Sequence, residues 1–316
     1  MQYNAALRPP QSTPPFDAFV ARHEIVRDGI GLSFIHEGAG GYPLLLLHGY
    51  PETKRVWWRN IAPLSAAGFE VIAPDLRGYG DSDLSPDDAY DLTIYSRDLY
   101  ALVHDVLGHG RCAIVAGDIG GVVAVDIAQR FEGFVDRLCF FNTVPPPTAG
   151  FDLSTFSAIR GGPTGDYQVL QGARPDELAA MLNTPQARRQ WIAGMYTSRL
   201  WASPGSFTPE EVDFMTEPFA DEAHLRASWA PYQLAHGRPM SEMPMSFGPV
   251  AIPTLVLYGH DDHVVGDDFI PACEVAFTNR IGPLVVPGAG HFLQWERADI
   301  VNPLLIATFG DLLDRG

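Results

Sequence analysis

Short apolar runs alternate with amphipathic stretches along most of this 316-residue chain. The apolar runs include YPLLLLHG, FEVIAPD, RCAIVAGD and DRLCFFN, and the stretches near 55–67 and 93–107 have helical spacing. This alternation is typical of a parallel sheet with helices on its faces. Two earlier segments around Asp28 and Gly29 alternate residue by residue and predict an antiparallel hairpin. We therefore predict an α/β fold with an antiparallel start.

The alternation is interrupted once. It stops at the run VPPP, which begins at Val144, and resumes at IPTLVLYG, which begins at Ile252. The residues between these points have helical patterns but no strand-like run, which indicates a helical insert. Within the insert we predict helices near 175–183, 184–200, 209–218 and 221–235. The predicted parts of the chain are a Pro-rich arm at 1–22, a core at 23–144 and 248–316, and a helical cap at 145–247.

Charge and hydropathy exclude several classes of function. Asp and Glu number 38 against 21 Lys and Arg, which gives a formal net charge of −17 at pH 7. Such a chain repels phosphate backbones and anionic lipid, so we expect no nucleic-acid partner. No apolar run approaches the roughly 18 to 20 residues of a membrane-spanning helix, so we expect no membrane span. The first residues lack a basic head followed by an apolar stretch, so we expect no signal peptide and a cytoplasmic location.

The three cysteines, Cys112, Cys139 and Cys273, are odd in number, far apart and without a C-x-x-C pair. This spacing argues against a disulfide framework and against a zinc site, and it favours buried, unpaired thiols.

Two segments have some features of a metal site or a dinucleotide site, but each lacks the spacing that such a site needs. The run HDDH at 260–263 lacks thiolates and the helical His-x-x-x-His spacing of a metal site. The loop GDIGG at 117–121 follows a strand and opens a helix, but it fails the spacing G-x-G-x-x-G at Ile119. Its aspartate would also repel a pyrophosphate. We therefore predict no cofactor and no metal.

The segment IVAGDIGGVVAVDIAQ ends a strand and begins a helix within a few residues. Ala116 and Gly120 lie two positions on either side of Asp118, and a sharp turn of this kind admits only small neighbours. A reactive side chain here would stand at the top of the sheet, where the next backbone N–H can face a developing oxyanion. An ordinary strand-to-helix turn capped by Asp118 has the same sequence features.

Two later strands end in residues that would complete a catalytic triad. LVLYGHDDHVV places acids beyond one strand, and the spacing G-x-x-D from Gly259 indicates Asp262. VVPGAGHFLQWE places His291 beyond the next strand. The order nucleophile, acid, histidine is that of the α/β-hydrolase fold, with Asp118 in place of the serine of esterases.

An aspartate nucleophile restricts the chemistry. A carboxylate that attacks a saturated carbon forms an ester on Asp118, and water activated by His291 can then cleave that ester. Esters and amides become poor candidate substrates, and epoxides and organohalides remain. An epoxide oxygen leaves as an alkoxide and needs a protonated hydroxyl nearby, which tyrosine supplies at neutral pH. A halide instead needs desolvated N–H donors.

The motifs HGYPE at 48–52 and APDLRGYGDSD from Ala73 resemble those of the epoxide-hydrolase branch of the α/β-hydrolase superfamily. The likeness covers nearly the whole chain after the arm. It implies a mostly parallel eight-stranded sheet with an inserted helical cap. It also implies that the backbone N–H groups of Tyr50 and Ile119 form the oxyanion hole, and that the peptide before Pro51 is cis.

Two segments of the insert resemble those that carry the family's proton-donating tyrosines. GDYQVLQG supplies Tyr167 with Gln168 beside it, and SWAPYQLAHGR supplies Tyr232. Tyr95 and Tyr196 are the alternative donors. Besides these, the residues predicted to line the substrate pocket are Gln168, Pro51, Trp229, Ile119, Met195 and Met215.

Two departures from the family bear on the substrate. The family commonly has His before and Trp after the nucleophile, whereas Gly117 and Ile119 flank Asp118. The Trp after the nucleophile is absent, and Tyr50 occupies the position where many haloalkane dehalogenases have Asn. Both differences favour an apolar epoxide over a haloalkane as the substrate. A dehalogenase acting on haloalkanes or haloacids stays open, with Trp201 or Trp229 as halide donors, as does a hydrolase-fold protein that binds a ligand without turnover. The sequence leaves the oligomeric state open, a homodimer included.

Overall fold

The computed structural model describes residues 9–148 and 165–315. The remaining parts of the predicted arm, residues 1–8, and of the predicted cap, residues 149–164, lie outside the described residues. Eight strands form one sheet: β1 (Ala21–Arg27), β2 (Ile30–Glu37), β3 (Tyr42–Leu47), β4 (Phe69–Pro74), β5 (Cys112–Gly117), β6 (Val135–Phe141), β7 (Thr254–Gly259) and β8 (Arg280–Val286).

The strand order is β1-β2-β4-β3-β5-β6-β7-β8. The β1–β2 and β2–β4 pairs are antiparallel, and every later pair is parallel. The antiparallel start and the mostly parallel eight-stranded sheet are therefore as predicted. Strands β3, β4, β5 and β7 are buried along their whole length, which explains why their sequences, apart from Glu70 in β4, are mostly apolar and do not alternate with polar residues.

Twelve α-helices are described: α1 (Trp58–Ala66), α2 (Leu92–Tyr100), α3 (Asp118–Arg130), α4 (Gly165–Gly172), α5 (Pro175–Met181), α6 (Pro185–Thr197), α7 (Pro209–Thr216), α8 (Glu222–Ala227), α9 (Ala230–Ala235), α10 (Phe269–Ala276), α11 (Leu293–Glu296) and α12 (Ala298–Phe309). Helix α1 packs against α11 and α12, whereas α2 packs against α3. Helices α4 to α9 lie between β6 and β7 and form the described part of the insert.

Several helices differ from the predicted ones. The predicted helix over 221–235 is two helices, α8 and α9, because Pro231 has no N–H to continue the helical hydrogen bonds. The predicted helix over 93–107 is regular only to Tyr100 and continues as a π-helix over Ala101–Val106. The predicted helix near 55–67 begins as a 3₁₀ turn over Lys54–Trp57, with the Thr53 side chain as its N-cap.

The described part of the arm connects the core to the insert. The Trp58 indole donates to the Pro15 carbonyl at 3.0 Å, which fixes the arm to α1. The Phe16 ring stacks on Phe214 of α7 with centroids 4.2 Å apart. The Thr13 hydroxyl donates to Glu211 of α7 at 2.7 Å. The arm therefore bridges α1 and α7.

The three cysteines are buried and free, as predicted. Over residues 9–148 and 165–315, no helix is both long enough and apolar enough to cross a bilayer.

Candidate active site

The turn between β5 and α3 is closely packed. Asp118 has a φ of +47°, in the left-handed region that a residue other than glycine rarely adopts. A Cβ added to Gly117 would lie 2.2 Å from the Phe141 ring, and one added to Gly120 would lie 2.6 Å from the His48 carbonyl oxygen. Small residues are therefore required around Asp118, which is the physical basis of the sequence pattern.

Asp118, His291 and Asp262 come together at the carboxyl ends of β5, β8 and β7. The His291 Nε2 atom lies 3.4 Å from Oδ2 of Asp118. The Nδ1 atom of the same ring makes a 3.0 Å hydrogen bond with Oδ2 of Asp262. The other oxygen of Asp262 accepts the N–H groups of Val264 and Val265 at 2.8 and 3.1 Å, which fixes the carboxylate. One acid thus orients the imidazole toward the other.

The charge of the imidazole follows from its neighbours. Burial opposes protonation of His291, but the carboxylates of Asp262 and Asp118 outweigh it and raise the pKa of the ring well above its ordinary value. The two neighbouring carboxylates therefore stabilise the protonated form of the imidazole. The Asp118 side chain is 18% exposed and that of His291 only 1%. Asp118 is thus more accessible to a small molecule than His291.

The loop after β3 contacts the second oxygen of Asp118. The Tyr50 N–H donates to Oδ1 at 2.7 Å, and the peptide between Tyr50 and Pro51 is cis, as expected. A Cβ on Gly49 would lie 2.4 Å from the Asp118 Cβ, so only glycine permits this approach. Ile119 is the second residue of α3, where a backbone N–H has no acceptor within the helix. Both predicted oxyanion donors therefore lie beside Asp118.

The two predicted tyrosines are neighbours in the insert. The rings of Tyr167 and Tyr232 meet edge to face with centroids 5.6 Å apart, and Tyr232 meets Tyr50 in the same way at 5.2 Å. Burial and then the nearby charge of Asp118, among other groups, raise the pKa of both Tyr167 and Tyr232. Both hydroxyls therefore stay protonated at neutral pH. The Gln168 side-chain amide donates to the Tyr167 hydroxyl at 3.2 Å.

The alternative tyrosines have other surroundings. The Tyr196 hydroxyl donates to the Pro51 carbonyl at 2.7 Å, so its proton is already used. Tyr95 is completely buried in α2 with its ring 6.4 Å from Tyr79, and its hydroxyl has no hydrogen-bond partner within the described chain. Burial raises the pKa of Tyr95, and the nearby Tyr90 and Asp98 add to this effect.

The two tryptophans predicted as halide donors, Trp201 and Trp229, occupy different places. The Trp201 ring stands edge to face on His291 at 4.9 Å and lies 5.2 Å from the Tyr167 ring. Trp229 has no exposed surface, and its indole lies beside the Tyr50 hydroxyl. Its predicted place in the lining of the substrate pocket stays a prediction. Pro51, Met195 and Met215 are buried, whereas Ile119 and Gln168 keep some exposed surface.

The run HDDH divides between separate partners. Asp262 binds His291, whereas Asp261 accepts the Ser203 hydroxyl at 2.7 Å and contacts His260 at 3.0 Å. Among the described residues, no three His, Cys, Asp or Glu side chains form a group that could hold a metal.

Two supporting residues are absent from the predictions. Asn142, with a φ of +44°, follows β6; its amide donates to the carbonyls of Gly290 and His291 at 2.9 and 3.1 Å, and its oxygen accepts the Gly259 N–H. It thereby ties the ends of β6 and β7 to the histidine loop. The signal available in the sequence is the single polar residue that ends DRLCFFN.

The second is Glu52, in the HGYPE motif. Its carboxylate accepts the Gly49 N–H at 2.7 Å and the Gln294 side-chain amide at 2.8 Å. Burial raises the pKa of Glu52 to about 7, against the opposing effect of these hydrogen bonds and of His291. Its signal in the sequence is an acidic residue next to a buried motif.

Residues 42–298 match the family model described as alpha/beta hydrolase fold. The chain belongs to the α/β-hydrolase fold family. This α/β-hydrolase is 32% identical to an epoxide hydrolase of Caballeronia sordidicola, over 91% of this chain and 93% of that protein. It is 26% identical to a soluble epoxide hydrolase of Corynebacterium sp. (strain C12), over 93% and 98% of the two chains. The solved structure of the epoxide hydrolase CorEH without ligand superposes with a TM-score of 0.77 at 25% identity, covering 93% and 100%. The resemblance stated from the motifs is thereby confirmed.

Proposed function

We propose that this α/β-hydrolase is an epoxide hydrolase, a hydrolase of ether bonds that converts an apolar epoxide and water into a vicinal diol. The observation that carries the proposal is an aspartate at the nucleophile turn, with His291 Nε2 at 3.4 Å and two protonated tyrosines nearby in the insert. A carboxylate at this position suits attack on a saturated carbon, and tyrosine hydroxyls suit protonation of an alkoxide. The names of its relatives agree with this chemistry.

In the first step, Oδ2 of Asp118 attacks an epoxide carbon. The new carbon–oxygen bond forms as the ring carbon–oxygen bond breaks, and the ring oxygen takes a proton from Tyr167 or Tyr232. The product is a hydroxyalkyl ester on Asp118. Its Oδ1 becomes the ester carbonyl oxygen, which already receives the Tyr50 N–H.

Ester formation changes the state of His291. The Asp118 carboxylate contributes to the raised pKa of His291, and esterification removes that negative charge. The imidazolium then loses its proton more easily, and through solvent that proton restores the tyrosine. His291 becomes a neutral base, still oriented by Asp262.

In the second step, His291 Nε2 takes a proton from water as the water oxygen attacks the carbonyl carbon of the ester. The tetrahedral oxyanion forms at Oδ1, where the N–H groups of Tyr50 and Ile119 stabilise it. The bond between the carbonyl carbon and the substrate oxygen then breaks, and the diol leaves with a proton from His291. One oxygen of Asp118 is replaced by an oxygen from water in each cycle.

The helical insert has the role of a cap in this proposal. It supplies Tyr167 and Tyr232 from α4 and α9, and Trp201 from the segment that follows α6. The aromatic surfaces of these residues would exclude water from the epoxide and select apolar substrates. We assign the cap to residues 145–247 and the core to 23–144 and 248–316, and we place the enzyme in the cytoplasm.

Isotope labelling during a single turnover tests the covalent route. With excess enzyme and styrene oxide in heavy-oxygen water, the first diol should carry no label and the peptide with Asp118 should gain one heavy oxygen. Label in the first diol with none in Asp118 would contradict the ester. The Asp118→Ala variant, as a control, should form no diol.

A dehalogenase is the second candidate. The Trp201 ring lies 4.9 Å from the His291 ring, and an indole N–H is a donor that a halide accepts. Halide release from chloroalkanes and bromoalkanes, compared with diol formation from styrene oxide, separates the two activities. Ligand binding without either reaction would indicate a binding protein.

A further inference from the structure

The loop that carries His291 is held by a buried carboxylate that the two chemical steps do not use. Glu296 ends α11 and has no exposed surface. Its Oε2 accepts the Gly290 N–H at 3.0 Å, and its Oε1 accepts the Phe292 N–H at 3.1 Å. These N–H groups belong to the residues on either side of His291. The carboxylate therefore fixes the backbone from which the imidazole projects.

The same carboxylate holds the insert. Its Oε2 also accepts the Ser203 N–H at 2.8 Å and the Ser206 hydroxyl at 2.6 Å. Both residues closely follow Trp201, whose carbonyl accepts the His291 N–H at 2.6 Å. A segment of the insert and the histidine loop thus share one buried acceptor. Four donors converge on it, which suits the ionised carboxylate and gives it little freedom to move.

We propose that Glu296 is a positioning residue that orients the His291 imidazole toward the Asp118 ester. It also couples this orientation to the position of the insert segment 203–206. The inference rests on the proposed function, because ester hydrolysis is the step that requires a correctly oriented imidazole. The first step depends on Asp118 and the tyrosines, so a displaced imidazole affects it less. Misplacement of a reacting group by about 1 Å costs about 100-fold in rate, so small shifts of this loop are measurable.

The variant Glu296→Gln keeps the shape of the side chain and one oxygen, but turns an amide toward at least one donor. We expect ester formation, followed by tryptophan fluorescence in single turnovers, to stay within about threefold, and ester hydrolysis to slow by about 10- to 100-fold. The alkylated Asp118 peptide should then accumulate at steady state. Glu70→Gln is the matched control, since Glu70 is a buried carboxylate that accepts the Gly40 N–H at 2.7 Å but lies near the start of β4, away from the site. It should give no accumulation.

A second measurement does not depend on turnover. The proton between His291 Nδ1 and Asp262 should resonate far downfield in the proton NMR spectrum, and Glu296→Gln should shift or broaden it while Glu70→Gln leaves it unchanged. Equal slowing of both steps with an unchanged resonance would overturn the inference. A shifted resonance in a protein that forms no diol would instead reject the proposed function and keep the positioning role.

If Glu296→Gln does not fold, Ser206→Ala provides the test. It removes one of the three described donors to Oε2 and should slow hydrolysis alone, by about threefold. Slowing of ester formation to the same extent would count against the link.

Discussion

The Nε2 atom of His291 lies 3.4 Å from Oδ2 of Asp118. No hydrogen bond of good geometry joins Nε2 to any described residue, so the two groups are adjacent without being locked together. Oδ2 is therefore available to attack a carbon, while Oδ1 is held by the Tyr50 N–H at 2.7 Å. In the proposed mechanism the two side chains act in separate steps, and mutation of each residue can separate those steps.

Replacement of the base should trap the ester. In His291→Gln, Asp118 still attacks the epoxide but no base activates water, so we expect kcat to fall by about 10³- to 10⁴-fold. Intact-protein mass spectrometry should show the enzyme mass increased by one epoxide. The double variant with Asp118→Asn should show no adduct. An unmodified His291→Gln protein after incubation with styrene oxide would contradict the two-step scheme.

Removal of either tyrosine hydroxyl should slow ring opening. We expect Tyr167→Phe and Tyr232→Phe each to lower kcat/KM by about 10- to 100-fold, and the double variant to lose almost all activity, because the alkoxide then has no acid. Steady-state kinetics with styrene oxide gives these values. Tyr95→Phe is the control: its hydroxyl is buried without a partner in the described structure, so activity should be unchanged.

Stability should depend on pH through Glu52. Burial is the main cause that raises the pKa of Glu52 from 4.5 to about 7, so the folded protein binds a proton that the unfolded chain has released between these values. The contribution of Glu52 to the free energy of unfolding is therefore largest below pH 4.5. About 2 to 3 kcal/mol of this contribution is lost as the pH rises from 5 to 8.

Glu52→Gln should remove this loss, because an amide does not titrate. The Gln294 amide can turn its oxygen, which has no partner among the described residues, toward the new amide N–H. We expect urea unfolding to show that the free energy of unfolding of the variant, relative to that of the wild type, is higher at pH 8 than at pH 5. An equal difference in the free energy of unfolding at both pH values would refute the assignment of this pH dependence to Glu52.

The arm should stabilise the insert through Phe16. Phe16→Ala removes the stack on Phe214 of α7 and should cost about 1 kcal/mol. Hydrogen exchange should become faster in α7. Phe19→Ala is a matched control, because Phe19 packs against Trp58 of the core at 4.9 Å. It should reduce stability without a selective effect on α7, and equal exchange in the two variants would show that the arm does not hold the insert.

The predictions from sequence succeeded where the signal is local. The buried strands β5 and β7 are apolar runs closely followed by Asp118 and Asp262, whereas His291 follows the partly exposed edge strand β8. The chain order alone therefore places all three at one edge of the sheet. The small residues around Asp118 are also a local signal, because they predict a sharp turn between a strand and a helix. The prediction of one continuous helix at 221–235 is wrong, because Pro231 interrupts the helical hydrogen bonds although the apolar spacing continues through it.

The site also depends on contacts that no local pattern encodes. Glu296 receives the Ser203 N–H across 93 positions of the chain, and Gln171 donates to the Tyr50 hydroxyl across 121. The packing around Tyr50 buries Trp229 completely. The sequence by itself determined the sheet, the helical insert and the order of Asp118, Asp262 and His291, because strand and turn preferences act over a few residues. Only the tertiary structure decided which tyrosines lie near Asp118 and which carboxylate holds the histidine loop, because those outcomes depend on how distant segments pack.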